Sequence, residues 1–142
     1  MSFYDTKQAL ITQLLGASIP SITSADIAFE GKNFDPTNKE LWLSCHFIPA
    51  TTESMGKTST SSDEHRGTFQ VSVFIALNSD TYDNLQLQTI DSVLSAFQYN
   101  SSTVYNSQTV DILESTVNNG TENESWLKRD ISISYLTFST RN

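Results

Sequence analysis

At 142 residues the chain has the length of one ordinary domain, and 37% hydrophobic with 11% aromatic residues is enough for a real core. Sixteen acidic against eight basic side chains leave a net charge of −8, a surface that repels phosphates and acidic headgroups and argues against a role built on gripping nucleic acid. One cysteine, Cys45, excludes an internal disulfide, and no apolar run nears the roughly 20 residues of a membrane span.

Only 17% of residues are charged, and Ser, Thr and Asn fill the remainder of the polar surface. Hydroxyls and amides tolerate close neighbours better than like charges do, which hints at packing against other protein. Met1–Asp5 has neither a basic start nor an apolar run, so the expectation is folding in a reducing cytoplasm. The Asn-x-Ser/Thr triplets at Asn100, Asn119 and Asn123 then read as turn chemistry.

In chain order, Phe3, Lys7, Leu10, Ile11, Leu14 and Leu15 recur at helical spacing, with Ser2 placed as cap and Gly16 as stop. Ile27–Phe29 is a short extended piece. Residues 30–38 form a loop by their Gly, Asn, Asp and Pro content, and Phe34 within it is expected to fold back on the body. Residues 40–48 form a strand with Leu41, Leu43, Cys45 and Phe47 on one face and Trp42, Ser44, His46 and Ile48 on the other. Residues 67–77 form a second, with Phe69, Val71, Val73, Ile75 and Leu77 aligned.

Between them Pro49–Arg66 is rich in Thr, Ser and charge, without apolar period, and reads as a long functional loop. A helix is expected from Tyr82 to Phe97, capped by Ser79 or Asp80, with Leu87, Ile90, Leu94 and Phe97 on its stripe. A short strand at Thr103–Tyr105 and two longer ones, Thr109–Val117 and Trp126–Phe138, complete the chain. The expected fold is a single α+β domain over 1–142: a small, mostly antiparallel or mixed sheet of four to five strands, two flanking helices and a long β-hairpin loop.

Chemistry is hard to find. Gly56-Lys57-Thr58 resembles the end of a phosphate-binding loop, but Thr51 stands where the first glycine belongs and the segment joins two strands. Cys45 and His46 are adjacent in a strand, so they point to opposite faces and cannot easily share a metal. Asp63-Glu64-His65 reads as a solvated charge run. Cys45 lies on an apolar face without a base and reads as a buried thiol. No Gly-x-Ser-x-Gly turn exists. The expectation is no catalytic residue, no metal and no cofactor. Trp42 and Trp126 read as core or as subunit contact, since aromatics bury much area at little entropy cost.

Several segments in order carry a resemblance: Asn33-Phe34-Asp35-Pro36, Leu41-Trp42-Leu43, Ile48-Pro49-Ala50, Met55-Gly56, Gly67–Phe74, Ile90–Phe97 and Trp126–Tyr135. Together they resemble the tail terminator family of long-tailed bacteriophages. That resemblance implies a non-enzymatic virion protein, assembled in the host cytoplasm as a homohexameric ring on the tail tube. The ring ends tube polymerisation and offers a surface to head-completion proteins, and DNA passes its acidic lumen without specific binding. A ring of identical heterologous contacts closes by rotation and leaves two different faces. Candidate subunit-interface residues are Met55, Lys57, Glu64, Arg66 and Trp42, with Glu64 and Arg66 as ion-pair partners between subunits. A head–tail connector, a tube subunit and a small-ligand-binding host domain stand as alternatives.

Overall fold

The computed structural model describes residues 3–17, 19, 22–37, 39–54, 62–77, 83–122 and 125–140. Helix α1 spans Phe3–Gly16 and buries Thr6, Ala9, Leu10, Ile11 and Leu14; Phe3 and Leu15, expected on that stripe, stay exposed. A 3-10 turn at Ser24–Asp26 leads into strand β1, Ile27–Phe29. Two long strands follow, β2 at Leu41–Ser54 and β3 at Ser62–Ala76. Helix α2 spans Asn84–Ala96, and then come β4 (Ser102–Tyr105), β5 (Gln108–Val117), β6 (Thr121–Glu122) and β7 (Trp126–Thr140).

The strands form one seven-stranded sheet in the order β1-β2-β3-β7-β5-β4, curled into a half-barrel, with β6 also pairing β7. Only β1 and β2 run parallel. The architecture is α+β as expected, but with more strands than four to five. The short pieces make the difference: the extended segments expected at Ile27–Phe29 and Thr103–Tyr105 are paired strands, and β6, of two residues, is too short to show a period in sequence.

The segment Pro49–Arg66 is also corrected. Most of it is not loop but paired strand: Thr51↔Arg66 through Ser54↔Asp63 extend the β2–β3 ladder past a bulge at Pro49/Thr51. On the other side β3 pairs β7 as far as Ser62↔Thr140. Thr suits a pleated strand, and ladder hydrogen bonds on both sides of β3 hold this arm without an apolar face. Residues 55–61, including Met55, Lys57 and the Gly56-Lys57-Thr58 motif, lie outside the described residues. So do the proposed caps Ser2, Ser79 and Asp80.

One face of the sheet is the core. Leu41, Leu43 and Cys45 from β2, Phe69, Val71, Val73 and Ile75 from β3, Val110 and Ile112 from β5, and Ile131, Ile133 and Tyr135 from β7 are buried there. Both helices cover this face. Thr103 Oγ1 donates to the Ala9 carbonyl at 3.0 Å, tying β4 to α1. Gln86, fully buried, donates from Nε2 to the Val73 and Leu127 carbonyls at 2.8 and 2.9 Å, and its Oε1 accepts from Arg129, which also pairs with Asp83. This network sets the rotation of α2: Gln86, Thr89, Ile90 and Val93 face inward, and Leu87, expected there, is exposed.

Candidate protein-docking face

The opposite face of the sheet carries no helix among the described residues, and its composition changes along the strands. Residues paired across strands project to the same side, so the face resolves into rows.

At the first row Trp42 pairs with Phe74, and Phe74 with Lys128. Here the face closes on itself. The Trp42 indole lies between two rings, Phe74 at 3.9 Å with planes within 3° and Phe34 at 5.0 Å, with Trp126 edge-on at 5.7 Å. Phe34 does fold back from its loop. Lys39 and Lys128 sit 5.8 and 5.9 Å over the outer rings of Phe34 and Phe74. Among the described residues the buried Trp42 Nε1 donor has no hydrogen-bond partner. Asp26 accepts from Lys39 at 2.8 Å, and that bond holds its carboxyl below the usual range.

The middle rows are short and polar: Ser44 opposite Ser72 opposite Asp130, then His46 opposite Gln70 opposite Ser132. Ser72 Oγ donates to Asp130 at 2.6 Å. Cys45 and His46 point to opposite faces, as the strand register requires. The thiol is buried against the helices, and burial pushes it up to about 11; His46 is exposed, with Ser44 Oγ at 3.3 Å and Glu30 at 3.9 Å.

At the hairpin end the face turns amphipathic and open. Thr51, Arg66, Leu136, Asp111 and Ser102 form one row across five strands. In the next, Glu64 is opposite Phe138, and Val104 projects from the same face two residues along β4 from Ser102. Ile48 borders the row on the other side. Ile48, Val104 and Phe138 are 44%, 56% and 44% exposed. Arg66, its side chain 51% exposed, donates from Nε to the buried Glu64 carboxylate two residues away on the same strand. Of the residues expected at an interface, Glu64 and Arg66 thus lie together and pair within the chain, and Trp42 lies at the far end of the same face. Sequence reading passed over Ile48, Val104 and Phe138.

The cavities are modest. One of about 200 Å³ lies under the hairpin base, against Phe3, Thr6, Pro49, His65, Tyr135 and Thr137. That is below the roughly 300 Å³ at which ligand pockets begin. His65 there has its Nδ1 2.9 Å from Thr52 Oγ1, and burial pushes the Tyr135 hydroxyl up to about 12. An open groove of about 440 Å³ between the helices is lined by Gln13, Gly16, Ala17, Ser92, Ser95 and Ala96, none of them titratable. Among the described residues no three His, Cys, Asp or Glu groups converge as a metal site would need.

The family model described as "Phage tail terminator protein" matches residues 6–135. Sixteen solved chains are similar; one, 18% identical, covers 96% of this chain and 96% of its own length at a TM-score of 0.71, a likeness of fold. No curated protein matches the chain.

Proposed function

From the premise that this chain belongs to the phage tail terminator family, a family of structural tail proteins, we propose that it caps the tail tube as a closed ring. The match over residues 6–135 carries the proposal, because it spans both helices and nearly the whole sheet. The ring ends tube polymerisation, and its second face receives head-completion proteins.

The uncovered sheet face supports this reading. Its hairpin end combines Phe138, Ile48 and Val104 with a half-exposed Arg66, and aromatic residues and arginine are the side chains enriched in interfaces. Arg66 reaches a partner as one side of a pair already formed with Glu64, so the buried carboxylate stays compensated during docking. The excess of acidic side chains, 16 against 8, suits a lumen through which DNA slides without adhering.

Electron microscopy tests the proposal. Purified protein mixed with uncapped tail tubes is expected to add a single ring at one tube end and to block further growth. Long cylinders formed by this chain alone identify it as a tube subunit instead. A ring that binds portal-side proteins and ignores tube ends identifies a connector. Val104 and Phe138 replaced together by Ser are expected to abolish capping with the fold intact.

A further inference from the structure

The backbone at the two margins of the sheet leaves peptide groups open on both sides. β2 is a margin strand for most of its length, and its lower part is closed to further pairing. β1 occupies Leu43–Cys45. The next outward N–H, that of Phe47, donates to Glu30 Oε1 at 2.5 Å, and Pro49 has no N–H to offer. Above the bulge at Pro49/Thr51 the alternation shifts by one. Thr51 and Glu53 then bond inward to β3, and the peptide groups of Thr52 and Ser54 point outward with no strand beside them among the described residues.

The other margin has the same plan. Just below β4 the edge of β5 is occupied at Ile112: Asn100 N donates to the Ile112 carbonyl at 2.9 Å and Ile112 N to the Ser101 carbonyl at 2.8 Å, and further down the Ser115 hydroxyl donates to the Phe97 carbonyl at 3.2 Å. β4 is the open end. Its two-residue turn at Asn106-Ser107 makes Tyr105 and Gln108 a bonded pair, so Thr103 bonds inward and the peptide groups of Ser102 and Val104 point outward. The strand Ser102-Thr103-Val104-Tyr105 contains no Lys, Pro or other charge of the kind that blunts an edge.

The two open stretches are at the same height. Ser102 and Thr51 end the same row of paired residues, one on each margin. We infer that β4 of one copy adds in parallel to the upper part of β2 of the next, around the ring. The occupant is a second copy because one chain offers both complementary edges, level with each other and running in the same direction. Head-to-tail addition at constant height is a heterologous contact that closes by rotation. It also joins the exposed patch at Val104 and Phe138 to the Thr51–Arg66 side of the neighbour. This inference rests on the ring reading and adds its geometry.

Cysteine pairs test it. Thr51→Cys combined with Ser102→Cys, or with Val104→Cys, places thiols on one face across the joint in two registers, and adjacent strands bring Cα atoms within disulfide reach. The native Cys45 is buried and stays out of the reaction. Oxidised on capped tubes, one of the double variants is expected to give a covalent ladder well beyond the dimer, and each single variant at most a dimer. Val104→Pro removes only an outward donor and is expected to stay folded by circular dichroism while losing rings at least tenfold. Rings seen by microscopy with no ladder from either pair, and with Val104→Pro rings intact, overturn the strand joint and leave the ring standing. No ring at any tube end overturns both.

Discussion

The two ends of the uncovered sheet face spend apolar side chains in opposite ways. At the Trp42 end, four aromatic rings from a loop and three strands bury one another, and two lysines cover the outer rings. At the hairpin end, Ile48, Val104 and Phe138 each stand on a separate strand with water over much of their surface. The first end has satisfied its hydrophobic demand within the chain. The second has not: its apolar side chains stay exposed around an arginine, and this is the surface that the proposed docking would bury. Burial inside the chain contributes to folding, and surface left open contributes to assembly.

That contrast breaks first, and with the largest effect, at Trp42. Trp42→Ala empties the middle of a stack and is expected to cost about 3 kcal/mol in denaturant unfolding, the lower part of the range for large aromatics because the ring is only half-buried. Trp42→Phe keeps two stacked faces and removes an indole donor that is buried without a partner. An unsatisfied donor costs about 1–3 kcal/mol, so this change is expected to be near neutral. A large loss of tube capping by Trp42→Phe, with unchanged stability, would show that a partner supplies the missing acceptor. Phe138→Ser is expected to move stability by less than about 0.5 kcal/mol and to abolish capping. Equal stability losses at both ends would end the distinction.

A smaller effect is expected at the joint between the open end and the core. Gly67 lies opposite Tyr135, and a Cβ there would meet the Tyr135 hydroxyl at 2.5 Å and the Ile48 carbonyl at 2.6 Å. The carbonyl belongs to the paired strand and cannot step aside. The Tyr135 ring stacks on Phe47 at 5.6 Å, so the glycine is the slot that admits this ring to the core. Gly67→Ala is expected to cost about 2 kcal/mol, within the range for overpacking, read as a lower denaturant midpoint. Because Ile48 of the open face stands beside Gly67, the same variant is also expected to weaken capping. Retention of full stability would mean that Tyr135 has room to move.

The contrast also shows what was legible in the amino-acid order. Wherever a strand has one buried face, as in Phe69-Val71-Val73-Ile75, alternation is plain and the strand was found. Phe34 was expected to fold back because a large apolar ring in a polar loop needs cover, and it has that cover on Trp42. The hairpin arm shows no period because Thr51–Ser54 and Ser62–Arg66 carry no apolar residue on either face, so its order comes from cross-strand bonds that the sequence pattern does not record. Leu87 shares helical spacing with Ile90, Leu94 and Phe97, but the Arg129–Gln86 network sets the rotation of α2 and leaves it exposed.

At the docking face, Glu64 and Arg66 were noticed as charges in a polar stretch. Ile48, Val104 and Phe138 do not stand out in the sequence, because they lie on three different strands and only register assembles them. A signal did exist: Ile48 follows Ser44 and His46 on the outward phase of β2, and Phe138 follows Ser132 and Ser134 on that of β7. An apolar side chain on the phase of a strand that faces water is the mark of a patch.

The smallest expected effect concerns the turn that presents Val104. Asn106 and Ser107 both adopt positive φ, 49° and 66°, as a two-residue turn of this hand requires. Asparagine tolerates that region and serine does so less readily, because its Cβ crowds the following carbonyl oxygen. Ser107→Gly removes the crowding but gives the unfolded chain more freedom, so the net gain is expected to be about 0.5 kcal/mol, visible as a rise of about 2 °C in Tm. The consequence for assembly is more telling than the number. Firming this turn holds the outward peptide groups of Ser102 and Val104 in place, so rings are expected to form at lower protein concentration. The opposite substitution sharpens the point: Ser107→Val, β-branched where φ is positive, is expected to loosen the β4 margin and raise the concentration needed, while the aromatic end, on the far side of the face, keeps its tryptophan fluorescence unchanged.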